Sequence, residues 1–296
     1  MIYDNWMSYI KDDVKITKVV MPGAHNAGSR GMNAFACCQD GDLAAQISHG
    51  VRHFCIRVKT KNGKVVMSHG VSTGELLSTA LSGLRDSINK HDGEFFIFDL
   101  REYYPQSIGP LKFHSEADPA EIDRLLEKYI EPSKYALWDF EKISDVTMGD
   151  IRSSGKKYMI INYQAAYKYS VNCESIFPWD SKIHGFKVEK FVKTIPSYFD
   201  LNSTDGIFWF QTQLTPNVGT EVGLKTPKKL DKMLRPHFGE LIDIIENNPL
   251  YLEKANVISG DFMSEDFSKA KRIIALNALK GNVRDEVKDE FLSLLK

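Results

Sequence analysis

Cysteine is scarce, with four residues in a chain of 296, too few to staple a fold of this length. Cys37 and Cys38 are adjacent, Cys55 and Cys173 stand alone, and no CxxC spacing occurs, so a structural zinc site is not expected. No apolar run approaches the roughly 18 residues of a membrane-spanning helix. Met1 to Lys18 lacks the apolar core of a signal peptide. The chain is therefore expected in the cytoplasm, or secreted or at the cell surface after removal of a leader. Charge of one sign is not in excess: 38 basic residues face 39 acidic ones, a net charge of −1. That argues against nucleic-acid binding and against attachment to a membrane by charge alone. There is no internal repeat, low-complexity tract or flexible linker, so residues 1–296 are expected to form a single domain. Hydrophobic residues make up 43% and charged residues 26%, an ordinary globular balance in a chain long enough to bury a large core.

Segments with strand and helix patterns alternate. Lys15–Met21, His53–Val58, Lys64–Met67, Glu94–Arg101, Lys157–Tyr163, Gly206–Gln213 and Ala255–Asp261 read as strands. Asp42–Ser48 reads as a short helix. Ser72–Lys90 reads as a longer one, with Thr73 as its cap and Leu76, Leu77, Ala80, Leu81, Leu84 and Ile88 on one face. Asp118-Pro-Ala-Glu121 has the form of a reciprocal capping box with proline at the first helical position. Val188–Phe199 is expected to be helical with an interruption near Pro196, Lys228–Glu246 helical with a break at Pro236, and Ser264–Leu279 helical with Ser264 as cap. Seven strands with intervening helices predict an α/β fold with a parallel sheet, closed as a distorted β/α (TIM-type) barrel.

Four polar residues stand at the C-terminal ends of these strands: His25, Arg57, His69 and Asp261. In a β/α barrel that end is where active sites form. The residue types suit phosphodiester chemistry. One imidazole can take a proton from an attacking hydroxyl while another protonates the leaving oxygen, both near neutral pH. A guanidinium can hold the non-bridging oxygens of the phosphate. A carboxylate behind one histidine can fix its tautomer. His49, His53, His91, His114, His184 and His237 lack such surroundings and are read as structural or solvated.

Met21-Pro-Gly-Ala-His25-Asn-Ala-Gly-Ser29, Gly50-Val-Arg-His-Phe-Cys-Ile-Arg57 and Val65-Val-Met-Ser-His69-Gly70 resemble, in order and interval, three motifs of bacterial phosphatidylinositol-specific phospholipase C and its X-type catalytic domain. The similarity covers roughly the first 105 residues well; Val257-Ile-Ser-Gly-Asp261 and Ile207-Phe-Trp-Phe-Gln-Thr-Gln213 match more loosely. The resemblance implies cleavage of phosphatidylinositol, or a glycosylated relative, to diacylglycerol and inositol 1,2-cyclic phosphate. It makes His25 the base, Arg57 the phosphate clamp, His69 the acid and Asp261 the partner of His25. Asp99, Arg101, Tyr163, Gln211 and Gln213 become candidate headgroup contacts.

Two positions depart from the pattern: Asn26 stands where it has Asp, and Cys55 where it has Asp two residues before Arg57. Asn26 cannot lend the acid a charge, so activity is expected to be reduced or Asp99 to substitute. A calcium site would need further carboxylates at Cys55 and Arg57, and a thiol and a guanidinium do not bind Ca²⁺. No metal and no cofactor are expected. The other readings are a catalytically weak phosphoinositide-binding module and a metal-dependent glycerophosphodiester phosphodiesterase. The last would need an E-x-D pair where Cys55-Ile-Arg57 stands. The expected partners are the lipid substrate and a transiently touched membrane surface, with the chain as monomer. Ser175-Ile-Phe-Pro-Trp179 reads either as core or as a rim loop that dips into the bilayer through Trp179.

Overall fold

The computed structural model describes the chain except for residues 1, 103–105, 109–110, 114–116, 164–166, 173–187, 201–204, 215–224, 266 and 296. Cys173, His114, His184 and the Ser175–Trp179 segment therefore lie outside the described residues. The strands are β1 (Met21–Ala24), β2 (His53–Lys61), β3 (Lys64–His69), β4 (Ser72–Leu76), β5 (Phe96–Glu102), β6 (Gln106–Ile108), β7 (Leu111–Phe113), β8 (Tyr158–Ile161), β9 (Ser170–Val171), β10 (Trp209–Gln211) and β11 (Val257–Gly260). The main sheet runs β10-β11-β1-β2-β5-β8-β9 with every pair on this path parallel. β3 pairs antiparallel with the outer half of β2, and β4 with β3.

The sheet is strongly curled. His53 on β2 packs against Trp209 on β10 at a ring distance of 4.7 Å, although three strand steps separate them along the path. A flat sheet would hold them roughly 14 Å apart at about 4.8 Å per step. The curl is that of a half-barrel, as expected for a distorted β/α barrel.

Alternation along the strands sorts side chains into two cores. Phe54, Ile56, Val58, Phe96, Phe98, Leu100, Ile160, Phe210 and Ile258 pack outward with the helices Leu77–Lys90, Pro119–Ile130, Val188–Asp200 and Phe238–Glu246. Met21, Cys55, Ile97, Met159, Ile161, Trp209 and Val257 line the concave face. Trp6, Met7, Ile10 and Ile143 join them there and fill the N-terminal end of the half-barrel. A strand face this apolar at its base leaves the polar residues of the same parity, His25, Arg57, Arg101 and Asp261, at the opposite end.

Several local expectations are corrected. Lys15–Met21 is not a strand: Ile16–Lys18 forms a 3₁₀ turn and β1 starts at Met21. Asn256 donates to the carbonyls of Ile16 and Val19, and Asn277 bonds both backbone groups of Val20, so side chains replace the ladder. Ser72–Leu76 is strand, because pairing with β3 outweighs its helical pattern; the helix starts at Leu77 without a side-chain cap. Asp118 caps the Pro119–Ile130 helix, but Glu121 binds Arg124 at 2.7 Å and does not reach back. The helix Val188–Asp200 runs through Pro196, held by the buried face Phe191, Ile195 and Phe199. Ser264 bonds Asp40, and the last long helix begins at Ser268. Among the described residues no helix is long and apolar enough to cross a membrane.

Candidate active site

The chain leaves β1 through a tight bend. His25 donates its backbone N–H to Gly260 on β11, and Asn26 follows with φ +45°, a left-handed conformation that asparagine tolerates better than most residues. Gln39, fully buried, locks this bend. Its amide donates to the carbonyls of His25 and Gly260, both at 2.9 Å, and its oxygen accepts from Met263 N–H at 3.0 Å. One side chain thereby fixes β1, β11 and the loop after Asp261.

The His25 ring donates from Nδ1 to Asp261 Oδ1 at 2.7 Å. The His69 ring donates from Nδ1 to the Ala36 carbonyl at 2.8 Å. Between the rings, which lie 6.2 Å apart in a T-shaped arrangement, the Asn26 amide donates to His25 Nε2 at 3.0 Å and to His69 Nε2 at 3.2 Å. Both Nε2 atoms thus present lone pairs to one point. Asn26 Oδ1 is buried without a bonding partner among the described residues.

Arg57 stands on β2 at the same parity as Cys55, which lines the concave face. Its charge acts on His25, His69 and Cys38, and its buried Nε has no partner among the described residues. A donor left in this way is chemically able to receive an anion.

Burial sets the protonation states. Desolvation, aided by the Arg57 cation, holds His25 well below its ordinary value. Desolvation likewise brings His69 down to about 4 against the opposing bond to Ala36. Desolvation, then the charge of Asp231, pushes the Asp261 carboxyl up to about 8.

The candidate headgroup residues divide. Asp99 is fully buried and accepts from Arg101 Nε at 2.8 Å and from Asn162 Nδ2 at 2.8 Å. Arg101 also lies over the Trp209 ring at 5.5 Å. Asp99 faces the concave side near His25 and His53, where it forms a structural pair with Arg101. Gln211 and Gln213 are buried and joined by a 2.8 Å bond.

Tyr163 is placed elsewhere. Asn162 has φ +60°, which interrupts the alternation at the end of β8. Asn162 thus takes the inward position, and Tyr163 turns to the helix side, where its hydroxyl donates to Asp123 at 2.9 Å.

Cys38 is a further residue of the site. Its thiol lies 3.6 Å from Asn26 Nδ2 and 3.8 Å from His69 Nδ1, and within 4.8 Å of an Asp261 carboxylate oxygen. Cys38 and Gln39 carry no strand-end or motif signal, whereas Asn162 is a polar residue at the end of the predicted strand Lys157–Tyr163 and could have been found there. The adjacency of Cys38 to the His25 motif in a loop-like stretch was the one hint available for the first two.

No family model matches the chain. Two curated proteins named 1-phosphatidylinositol phosphodiesterase, from Staphylococcus aureus strains Newman and NCTC 8325 / PS 47, are each 32% identical over 71 residues. The match takes in 22% of this chain and spans under a quarter of those relatives' length, 23% and 22%. Among solved structures, the phosphatidylinositol-specific phospholipase C from Listeria monocytogenes aligns with a TM-score of 0.68 at 18% identity, over 93% of this chain and 98% of that one. A double mutant of the S. aureus phosphatidylinositol-specific phospholipase C aligns with a TM-score of 0.65 at 13% identity, over 92% and 95%. The fold is shared with these proteins over nearly the whole length of each chain.

Proposed function

We propose that the chain is a metal-independent phosphodiester lyase that cleaves phosphatidylinositol, or a glycosylated phosphatidylinositol, to diacylglycerol and inositol 1,2-cyclic phosphate. The observation that carries this reading is the facing pair of Nε2 lone pairs on His25 and His69, with the charge of Arg57 acting on both rings and its buried Nε without a partner among the described residues. His25 Nε2 takes the proton of the inositol 2-hydroxyl, whose oxygen attacks phosphorus. Arg57 holds the non-bridging oxygens and neutralises the charge that grows on them. His69, once protonated, gives its Nε2 proton to the departing diacylglycerol oxygen. Asp261 keeps the proton of neutral His25 on Nδ1 and stabilises the imidazolium. The substrate must take both Nε2 bonds over from the Asn26 amide. Asp99 and Arg101, with Asn162, Gln211 and Gln213, form the polar wall available to inositol hydroxyls.

Contact with a lipid surface fits the rim. Phe35 and Val71 are 61% and 57% exposed. The first precedes Ala36, whose carbonyl holds His69, and the second follows His69-Gly70. Lys59 donates to the Val71 carbonyl beneath them at 3.3 Å. A neighbouring S. aureus structure concerns modulated membrane binding of its phospholipase C. This reading keeps the chain a monomer that meets the membrane transiently, in the cytoplasm or beyond it.

Phosphorus NMR of phosphatidylinositol vesicles, with and without chelator, tests the proposal. A cyclic phosphate is expected in both. His25→Ala and His69→Ala should each lower turnover about 10²–10⁴-fold with the fold retained, and near-normal turnover in either rejects the assignment. Asn26 and Cys55 favour a second reading, a catalytically weak phosphoinositide binder. Inositol phosphate binding without any product would select it.

A further inference from the structure

We infer that His25, Cys38 and Asp261 form a binding site for a thiophilic divalent cation such as Zn²⁺, and that the bound ion shuts the site off. One ligand atom from each, imidazole nitrogen, thiol sulfur and carboxylate oxygen, lies within 4.8 Å of the other two. A tetrahedral ion with bonds of about 2.0–2.3 Å spaces its ligands roughly 3.3–3.8 Å apart, so the three groups converge with small side-chain adjustments. All three are buried, and their backbones are held. Cys38 donates its N–H to Ser29 Oγ at 2.9 Å and accepts at its carbonyl from Phe262 N–H at 2.8 Å. Gln39 fixes the bend that carries His25. The bracing places the sulfur before any ion arrives, which spares the ordering entropy a flexible site would lose.

The donor set selects the ion. A thiolate with an imidazole and one carboxylate suits Zn²⁺ or Co²⁺, whereas Ca²⁺ and Mg²⁺ require several oxygens. Two anionic ligands balance the ion's charge, which offsets the nearby Arg57 cation. The fourth position is left to water. Asn26 Oδ1, buried and without a bonding partner among the described residues, is an acceptor suited to that water.

The consequence follows from the shared atoms. An ion on Asp261 and on the His25 ring displaces the proton that links them, so His25 can no longer act as an oriented base. The binding claim stands on geometry alone; the loss of turnover rests on the lyase reading above.

Co²⁺ added to the full chain, previously stripped with chelator, should bind once per chain and give the absorption of a thiolate-bound tetrahedral ion. Cys38→Ser should abolish the sulfur band and weaken binding by at least about 10–100-fold, the range seen for outer-shell partners alone. Cys37→Ser should keep both. X-ray absorption of the Zn²⁺ complex of the unmodified chain should show one sulfur at about 2.3 Å, a readout that needs no variant. A band that survives Cys38→Ser, a zinc shell without sulfur, or no saturable binding overturns the site. Zn²⁺ should also stop lipid cleavage, with recovery in chelator. Cleavage untouched by saturating Zn²⁺ overturns the inhibitory claim. A chain that binds Co²⁺ through sulfur yet never cleaves lipid supports the site and rejects the lyase.

Discussion

Asp261→Asn separates catalysis from stability in a way the structure makes quantitative. Asp261 Oδ1 receives the His25 Nδ1 proton at 2.7 Å. As His25 becomes an imidazolium in the transition state, a carboxylate about 4–5 Å from the ring's charge centre contributes roughly 3–4 kcal/mol at an effective dielectric of about 20. Each tenfold in rate corresponds to about 1.4 kcal/mol, so loss of that charge alone predicts a fall of about 10²–10³ from the ionised form, and about tenfold less at neutral pH, where most of the carboxyl is protonated. The amide can also donate to Nδ1, which moves the ring proton to Nε2 and leaves no lone pair for the inositol hydroxyl; the loss then extends to about 10⁴. Stability should move the other way. The Asp261 carboxyl is raised to about 8 by burial, so the folded state resists its ionisation, and an amide of equal size removes that demand. The Lys269 bond at this position goes to the backbone carbonyl and survives. The assay is cyclic phosphate release at neutral pH beside thermal melting. Expected are a loss of kcat/KM of about 10²–10⁴-fold from the ionised form, about tenfold less at neutral pH, and a melting temperature unchanged or higher. Activity within about tenfold of the wild type would refute the role of Asp261, and a clear drop in melting temperature would refute the burial argument.

The pH profile of kcat/KM should be flat between about 4 and about 8 and fall on both sides. The reactive form needs Asp261 ionised, above about 8, and His69 protonated, below about 4, and these opposed demands cancel between the two values. Asp261→Asn should lose the upper break, and an ordinary bell centred near 6.5 contradicts the assignment. Acid should destabilise the fold through His53, whose buried ring is held at about 4. Its contribution is fully present above about 6.5 and is lost as pH falls toward about 4, on the order of 3 kcal/mol. His53→Leu should flatten chemical denaturation midpoints across that window, and an unchanged slope contradicts it. Arg52 and Glu94 form a fully buried pair at 2.6 Å. Arg52→Met should destabilise by about 3–5 kcal/mol in urea, and Arg52→Met with Glu94→Leu by clearly less; equal losses would show that the lone carboxylate is not the cause.

The sheet was legible because its strands are short and apolar, and because polar residues end several of them. That logic holds for His25 and Asp261, which directly follow β1 and β11; Arg57 lies inside β2, which runs on to Lys61, and His69 ends β3, which is antiparallel to β2. It failed where a residue's place depends on partners distant in the chain. Ser72–Leu76 carries a helical pattern yet pairs with β3. Ile16–Val20 is apolar yet has its backbone bonded by Asn256 and Asn277, more than 230 residues away. Cys38 and Gln39 reach the site from a loop with no periodicity to read. Tyr163, a headgroup candidate from the resemblance, turns to the helix side because the left-handed Asn162 breaks the alternation of β8.

Asn162 therefore acts as a selector between two side chains at one edge of the chamber. As the chain stands, a short amide faces Asp99 and a phenol is diverted into a cluster with Tyr167. A β-branched residue at 162 would resist the left-handed turn and press the strand to continue its rhythm, swinging the phenol ring toward the space a sugar headgroup needs. One backbone torsion thus decides which of two side chains faces Asp99, and a change there would reshape this wall while His25 and His69 keep their bonds.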